Sequence, residues 1–534
     1  SVYKFLMKGG LDLMKTKLTK REQEIVQRNN GLQRYLESLL VGKSATPRSW
    51  LYEQISPEEV LSSWKQKLQV LQDGSEAEQN VFQFDTAQEE KWGPQGEVAP
   101  ISDLMDIVTQ GFGKPLMPKA FSSDDWAQAK REVTLQLQSN GIDNLRPASY
   151  SRVVDDMRAR DTLESNSGWP LFTRRSKPEV KEASIRDAES GAWKDYPAIA
   201  LFRNYNKKTR LVWMFPMSTN LVEGSFFQPL QSAMMQRHFK FLAPWEGFNA
   251  VRSLVGTEYA SGSYIAASDF SSTDAHFGLN SSLEVYDVIA PLFQARYREA
   301  LRESLVHMHS IPLVIGPDEK LVGWHGVSSG SNWTNFIETI FDWIFSVYVQ
   351  RRLGIRDTVG LYAIGDDMSW VFKRYREDFA IELERLGKTV GQEIKAEKTT
   401  NNLDSVKSLQ RLFQRGYNRP DGEIRAVYPT IRALKSSVYP ERFHRPRSWS
   451  SDMFCARQFM ILENCVDHPL FEEFVKFVCA GNRHLVPFAK QSAGYLDDVI
   501  RKSKLLPGLN PTYNQERRDH SFTQFASIAI ARTL

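Results

Sequence analysis

At 534 residues the chain is too long for one ordinary core, and a fold of three to four lobes is expected. Hydrophobic residues at 41%, charged residues at 25% and aromatics at 12% exclude a disordered or fibrous chain. Lys and Arg number 68 against 64 Asp and Glu, and the resulting +4 is too mild to mark a polyanionic partner without local clustering. Cys455, Cys465 and Cys479 form no CxxC pair and leave an odd thiol, so they read as core thiols in a reducing compartment, not as a disulfide framework or zinc ribbon. No run approaches the roughly 18 apolar residues of a membrane span, and SVYKFLMKGG is too short on apolar length for a signal peptide. The missing initiator Met suggests a processed or trimmed start.

Residues 1–100 show helical spacing over Glu24–Leu40 and Glu58–Leu71, so a helical extension is expected, followed by an exposed connector over Asp73–Pro100 and a boundary near residue 100. Between Leu201 and Val222 the chain carries Arg203, Lys207, Lys208 and Arg210 with no acidic residue, which is either a solvated basic face or an anion-binding one. Ser263–Phe270 reads as a buried strand delivering Asp269 at its C-terminal end. His307 and His309 form an HxH without carboxylate or Cys partners at a ligand spacing, and a surface helix or strand is expected there.

From Thr334 the spacing of Ile337, Ile340, Phe341, Ile344, Phe345 and Tyr348 predicts a long helix ending near Gly354. Thr358–Ile364 and Met368–Phe372 flank Gly365, Asp366 and Asp367 as a hairpin with a Gly-Asp-Asp tip. A further helix carries Phe379, Leu383 and Leu386 and stops at Gly387. Together these predict an α+β platform, with helices packed under an antiparallel sheet. Trp333 and Trp370 stand near the tip, where base stacking competes with core packing.

Adjacent Asp366 and Asp367 repel unless a cation neutralises them. Carboxylate oxygens suit a hard divalent cation, Mg²⁺ or Mn²⁺, and Asp269 completes a metal set of Asp269, Asp366 and Asp367. Two such ions would hold the attacking and leaving oxygens of an in-line phosphoryl displacement. A Gly-Asp-Asp triplet occurs by chance in roughly one chain in ten of this length, so its companions decide.

Those companions come in a fixed order: Asp269-Phe-Ser-Ser-Thr-Asp274, the Ser329-Gly330-Ser331 loop with Thr334, Ile364-Gly-Asp-Asp367, Gln392 to Lys398, and Ser408-Leu-Gln-Arg411. The series resembles palm motifs A to E of viral RNA-dependent RNA polymerases and covers about half the chain. Upstream, Lys208-Thr-Arg210 is similar to the basic motif F, and Ser165-Asn-Ser167-Gly168-Trp-Pro170 to motif G. Glu338 stands where many positive-strand RNA virus enzymes carry Asn, and in this the chain looks more like polymerases of double-stranded RNA viruses, of picobirnavirus or partitivirus type.

The resemblance implies a right-hand polymerase. Residues 1–100 would bridge fingers and thumb, 101–225 would form fingers with a further part at about 275–320, 226–420 the palm, and 421–534 the thumb and tail. It also implies nucleotidyl transfer from nucleoside triphosphates, with Asp269, Asp366, Asp367 and Lys398 catalytic; Lys395 is the rival to Lys398. Arg203, Lys208, Arg210, Asp274, Ser329, Gly330, Thr334 and Glu338 would contact the nucleotide. Ser167, Gly168, Pro170 and Arg411 would contact template or primer.

The implied partners are template and nascent RNA, nucleoside triphosphates and a viral capsid protein, with no membrane span, in the virion interior and host cytoplasm. The alternatives are a reverse transcriptase-like polymerase and a catalytically silent RNA-binding scaffold. The tail from Leu505 to Leu534, with Tyr513, Phe522 and Phe525 among Arg517, Arg518 and His520, either packs on the thumb or folds back as an initiation plug.

Overall fold

The computed structural model describes residues 13–160, 162–271, 273–442, 450–506 and 521–534. Its centre is a four-stranded antiparallel sheet of order β7-β8-β4-β9, made of β4 (Tyr264–Ser271), β7 (Thr358–Ile364), β8 (Asp367–Phe372) and β9 (Glu393–Ile394). Each central strand is an apolar run, as strands covered on both faces require. Ile265, Ala266, Met368 and Trp370 are buried. The helix Thr334–Leu353 packs beneath β7, buried along nearly its whole length, and ends at Gly354 in a left-handed conformation with φ +64.

The following helix, Phe379–Thr389, runs two residues beyond the expected stop. Gly387 is not its cap; it lies inside the helix, where a Cβ would sit 3.0 Å from Ile394 Cδ1. Trp333 and Trp370 are both core residues, donating to Ser304 Oγ (2.9 Å) and Ser268 Oγ (3.3 Å), so neither presents a face to a base.

A second sheet has the order β1-β6-β5-β2-β3, from β1 (Met14–Lys17), β2 (Ala198–Tyr205), β3 (Lys208–Met214), β5 (Leu313–Val314) and β6 (Glu319–Val322). The first hundred residues are therefore not wholly helical, since Met14–Lys17 adds a strand to β6. They also enter two cores. Helices Lys20–Arg28 and Asn30–Val41 bury Val26, Leu32 and Leu36 in one, while Pro57–Leu68 and Glu76–Thr86 bury Trp64 and Val81 in another with the C-terminal helices.

The expected exposed connector over Asp73–Pro100 is corrected in the same way. Ser75 caps a helix through a reciprocal pair with Glu78, and Trp92 is buried. Asp85, fully buried, accepts from Thr430 N (3.0 Å), Thr430 Oγ1 (2.6 Å) and Ile431 N (2.8 Å), capping the helix Thr430–Val438 across the chain.

The expected surface placement of His307 and His309 is also overturned. Both are buried: His309 Nε2 meets Ser282 Oγ at 2.6 Å, and its Nδ1 meets the carbonyl of His325 at 2.9 Å. Burial holds both well below the usual imidazole range, at about 3, as neutral core groups. Cys455, Cys465 and Cys479 are free and buried. Among the described tail residues, Phe522 packs on Phe488 and Phe525 on Phe522 in the C-terminal core; Tyr513, Arg517, Arg518 and His520 lie outside the described residues.

Candidate active site

Antiparallel register does the first part of the work. β4 and β8 pair so that Asp269 stands opposite Asp367, and the β7–β8 turn places Asp366 beside them. That turn needs φ +58 at residue 365, which glycine supplies without steric cost, and its backbone N–H is held by Thr339 Oγ1 at 3.0 Å. The Phe270 N–H donates to the Asp366 carbonyl at 3.3 Å, locking strand end to turn.

Carboxylate oxygens of Asp269, Asp366 and Asp367 all lie within 4.8 Å of one another. The clustering is electrostatically costly. Burial, then Asp269, pushes Asp366 up to about 6, and burial, then Asp366, carries Asp367 well above the carboxylate range. Asp269 is also raised by burial, and is drawn back by Lys398, Arg210 and Lys208. Three all-oxygen donors that repel without a cation and converge within ligand reach fit a hard divalent ion.

A cavity of about 770 Å³ opens over the turn, lined by Asp274, Ser329, Thr334, Glu338, Asp366 and Asp367 among others. The backbone at Asp274 is pressed against Gly326, and the loop 328–333 against the backbone of Trp213. A Cβ on Gly326 would fall 2.0 Å from the Asp274 carbonyl oxygen, and one on Gly330 would fall 1.6 Å from that of Trp213. Ser329 is exposed on the loop, whereas Thr334 turns its hydroxyl back onto the Ser328 carbonyl. Burial raises Asp274 to about 6, with Arg210 opposing.

Glu338 is buried, with Oε2 lacking a hydrogen-bond partner among the described residues, and burial, then Asp274 and Asp366, holds its carboxyl well above the usual range. An ionised Glu only accepts, whereas a protonated one donates as well.

The acid-free stretch is the hairpin β2–β3, in which Arg203 and Arg210 stand opposite and both lie 4.9 Å from the Tyr205 ring. Their surroundings differ. Arg203 forms a bidentate pair with Glu441, Nε to Oε1 and Nη2 to Oε2 both at 2.8 Å, which occupies its guanidinium fork. Arg210 and Lys208 have no such carboxylate among the described residues and act electrostatically on Asp269.

Lys398, in the turn after β9, acts on Asp269 likewise, while Lys395 points to Glu393 at 3.9 Å. Arg411 begins β11 (Arg411–Gln414), paired to β10 (Ser405–Ser408), and lines the same cavity with its guanidinium 3.8 Å from the Phe248 ring centroid. Ser167 and Gly168 sit in a loop tied to the start of the helix Met217–Gln236, where Met217 N donates to the Ser167 carbonyl at 2.8 Å, and Gly168 takes φ +69 against the Phe215 carbonyl. Pro170 follows in that loop.

Sequence reasoning missed Glu223, Asn220 and Asp342. The available signal was an isolated polar or acidic residue inside an apolar helical run, as in Asn220-Leu-Val-Glu223 and Ile340-Phe-Asp342.

Residues 205–429 match the family described as viral RNA-dependent RNA polymerase. A "Potential RNA-dependent RNA polymerase" of a human picobirnavirus (strain Human/Thailand/Hy005102/-) is 24% identical over 513 residues, covering 91% of each chain. The crystal structure of the RNA-dependent RNA polymerase of a human picobirnavirus superposes with a TM-score of 0.78 at 21% identity, covering 97% of this chain and 100% of that one. An insertion-loop deletion mutant gives 0.78 at 22%, with the same coverage. The right-hand arrangement of mixed helices and antiparallel sheets is thus that of the viral polymerases. No described helix is long and apolar enough to cross a membrane. The match to the viral RNA-dependent RNA polymerase family spans the carboxylate cluster and its surrounding loops, and over nearly its whole length the chain is similar to the polymerases of picobirnaviruses.

Proposed function

We propose that the protein replicates and transcribes a viral RNA genome by adding nucleotides to a 3′-hydroxyl with release of pyrophosphate, using Asp269, Asp366 and Asp367 as its metal-binding set. The observation that carries this reading is the convergence of those three carboxylates, two of which line the cavity, with Arg210, Lys208 and Lys398 acting on Asp269. Two divalent cations, Mg²⁺ or Mn²⁺, would be held by Asp269 and Asp366 with Asp367 in support, and would supply the charge that stabilises the attacking and leaving oxygens.

The chain's own groups do the rest. Arg210 and Lys208 bind triphosphate oxygens through charge-assisted hydrogen bonds. The position of Lys398 suits a general acid for the departing pyrophosphate, a function worth typically 10²–10⁴-fold, and its proximity to Asp269 favours it over Lys395. Ser329 and Gly330 present backbone and hydroxyl to the nucleotide, with Thr334 holding their loop. The 165–175 loop carrying Ser167, Gly168 and Pro170 guides template, and Arg411 grips primer from the cavity wall. Arg203 acts indirectly by clamping the hairpin to Glu441. A capsid protein as partner, and action in the virion interior and host cytoplasm, complete the reading. Its lobes are 1–100 as bridge, 101–225 with 275–320 as fingers, 226–420 as palm and 421–534 as thumb.

Asp274 lines the cavity in the short helix Thr273–His276 after β4, placed to accept from a ribose 2′-hydroxyl, with Glu338 beside it. A site built around a hydroxyl rejects the analogue that lacks it. On an RNA template the protein is expected to incorporate ribonucleotides and exclude deoxyribonucleotides, and Asp274→Ala to lose that preference. Efficient deoxyribonucleotide use by the parent would mark a reverse transcriptase, and absence of any incorporation would mark a silent RNA-binding scaffold.

A further inference from the structure

Glu223 is a carboxylate sealed inside the helix Met217–Gln236, and a buried charge is costly unless its partners repay it. Its partners belong to the loop that lines the cavity. Oε1 accepts from the Asn332 backbone N–H at 3.0 Å and from Asn220 Nδ2 at 2.9 Å, and Oε2 accepts from the Ser331 hydroxyl.

Asn220 extends the network in both directions. Its Nδ2 also donates to the Gly330 carbonyl (3.1 Å), its carbonyl accepts from Asn332 Nδ2 (3.0 Å), and its Oδ1 accepts from Arg175 Nη2 (2.9 Å). Arg175 in turn donates through Nε to the Asn166 carbonyl (3.0 Å). The same oxygens and nitrogens therefore fix residues 330–332 beside the nucleotide and residues 165–175 on the template side.

Little slack remains, because Gly330 is pressed so closely on the Trp213 carbonyl that no side chain fits. An apolar residue in place of Glu223 would fill the volume but leave the Asn332 N–H and the Ser331 hydroxyl unpaired.

We propose that Glu223 is a positioning residue that sets the 328–333 loop in its working conformation and, through Asn220 and Arg175, makes that loop and the 165–175 loop move as one unit. The inference rests on the polymerase reading above. Arg175 is the charged group facing Glu223. Burial pushes Glu223 up to about 7, while Ser331, Asn332, Asn220 and the Arg175 charge draw it back, so the carboxylate is held by the network and not by solvent.

The test is single-nucleotide incorporation on a pre-annealed RNA template and primer, with active sites counted by burst amplitude. Glu223→Gln keeps one acceptor oxygen and donates to Ser331 Oγ, so its kcat/KM per active site should stay within about threefold of the parent, since only one charge-assisted bond is lost. Glu223→Leu should fall about 100-fold per active site, the cost of misplacing a reacting group by about 1 Å. Arg175→Met should fall as well, and the Glu223→Leu/Arg175→Met pair should be no worse than Glu223→Leu alone, because both act through one network.

If Glu223→Leu does not fold, Asn220→Leu carries the same comparison, with an expected loss of at least tenfold per active site on the same geometric argument. Parental rates per site with only a smaller burst would reduce Glu223 to a folding residue, and independent, multiplying losses would refute the coupling of the two loops. A parent protein that incorporates nothing would instead sink the polymerase reading.

Discussion

Asp366 shows how one residue trades stability for function. Burial and the neighbouring Asp269 raise its carboxyl to about 6, so in the metal-free protein the charge costs folding free energy. The sign follows from linkage: a carboxyl raised in the folded state stabilises where it is protonated, and that contribution is lost as pH rises from the unfolded value through about 6. Without metal, Asp366→Asn should therefore melt higher than the parent at pH 8 and nearly level with it at pH 4. Added Mg²⁺ should raise the melting temperature of the parent far more than that of the variant, because only the parent retains the full ligand set. A variant that melts lower at pH 8 would contradict the repulsion argument. Arg210 and Arg203, paired across one hairpin, should separate in the same spirit. Arg210→Ala should raise the apparent KM for nucleotide and lower kcat, about tenfold or more in kcat/KM if the contact is worth roughly 1.4 kcal/mol in the transition state. Arg203→Ala, which loses the Glu441 clamp, should chiefly lower the melting temperature; equal kinetic effects would undo the distinction.

At the scale of elements, the turn at Gly365 and the loop at Gly330 hold the chemistry in place by close approach. Gly330→Ala must push the Trp213 carbonyl or its own loop aside, an overpacking cost of about 1–3 kcal/mol. It should lower incorporation per active site sharply while the fold, judged by circular dichroism, stays intact. Unchanged incorporation would show that the loop is not held where the cavity needs it. These elements were legible in the sequence because their signals are local: an apolar run ending in Asp269, two runs flanking Gly-Asp-Asp, and a 3.6-residue stripe from Thr334 to Gly354. The network around Glu223 was not legible, since it joins residues 175, 220, 223 and 331 that only the tertiary fold assembles. His309 was misplaced for a related reason. Its neutrality and burial depend on Ser282 and the His325 carbonyl, which spacing alone does not reveal. Burial of the 73–100 segment likewise depends on Asp85 meeting Thr430, a partner 345 positions away.

For the whole molecule, the N-terminal hundred residues enter both of the two largest cores among the described residues, so the cavity lies in a frame closed by long-range contacts. Asp85 on the helix Thr430–Val438 and Gln95 on the Tyr439 carbonyl (2.6 Å) tie the first hundred residues to the C-terminal lobe. Tyr35 on the Ala200 carbonyl (2.6 Å) ties the same segment to the basic hairpin's sheet. Such closure keeps Arg210, Lys398 and the three carboxylates in fixed relation, which is what positioning plus electrostatic stabilisation requires. The central claim is that Asp269, Asp366 and Asp367 form a metal-dependent centre for RNA-templated nucleotidyl transfer. The most direct test is extension of an RNA primer on an RNA template with labelled ribonucleotides, comparing parent and Asp366→Asn with and without Mg²⁺ or Mn²⁺. Template-directed extension by the parent that needs the cation, and none above background by Asp366→Asn despite an intact fold, is the predicted result; extension by the variant at the parent's rate would contradict it.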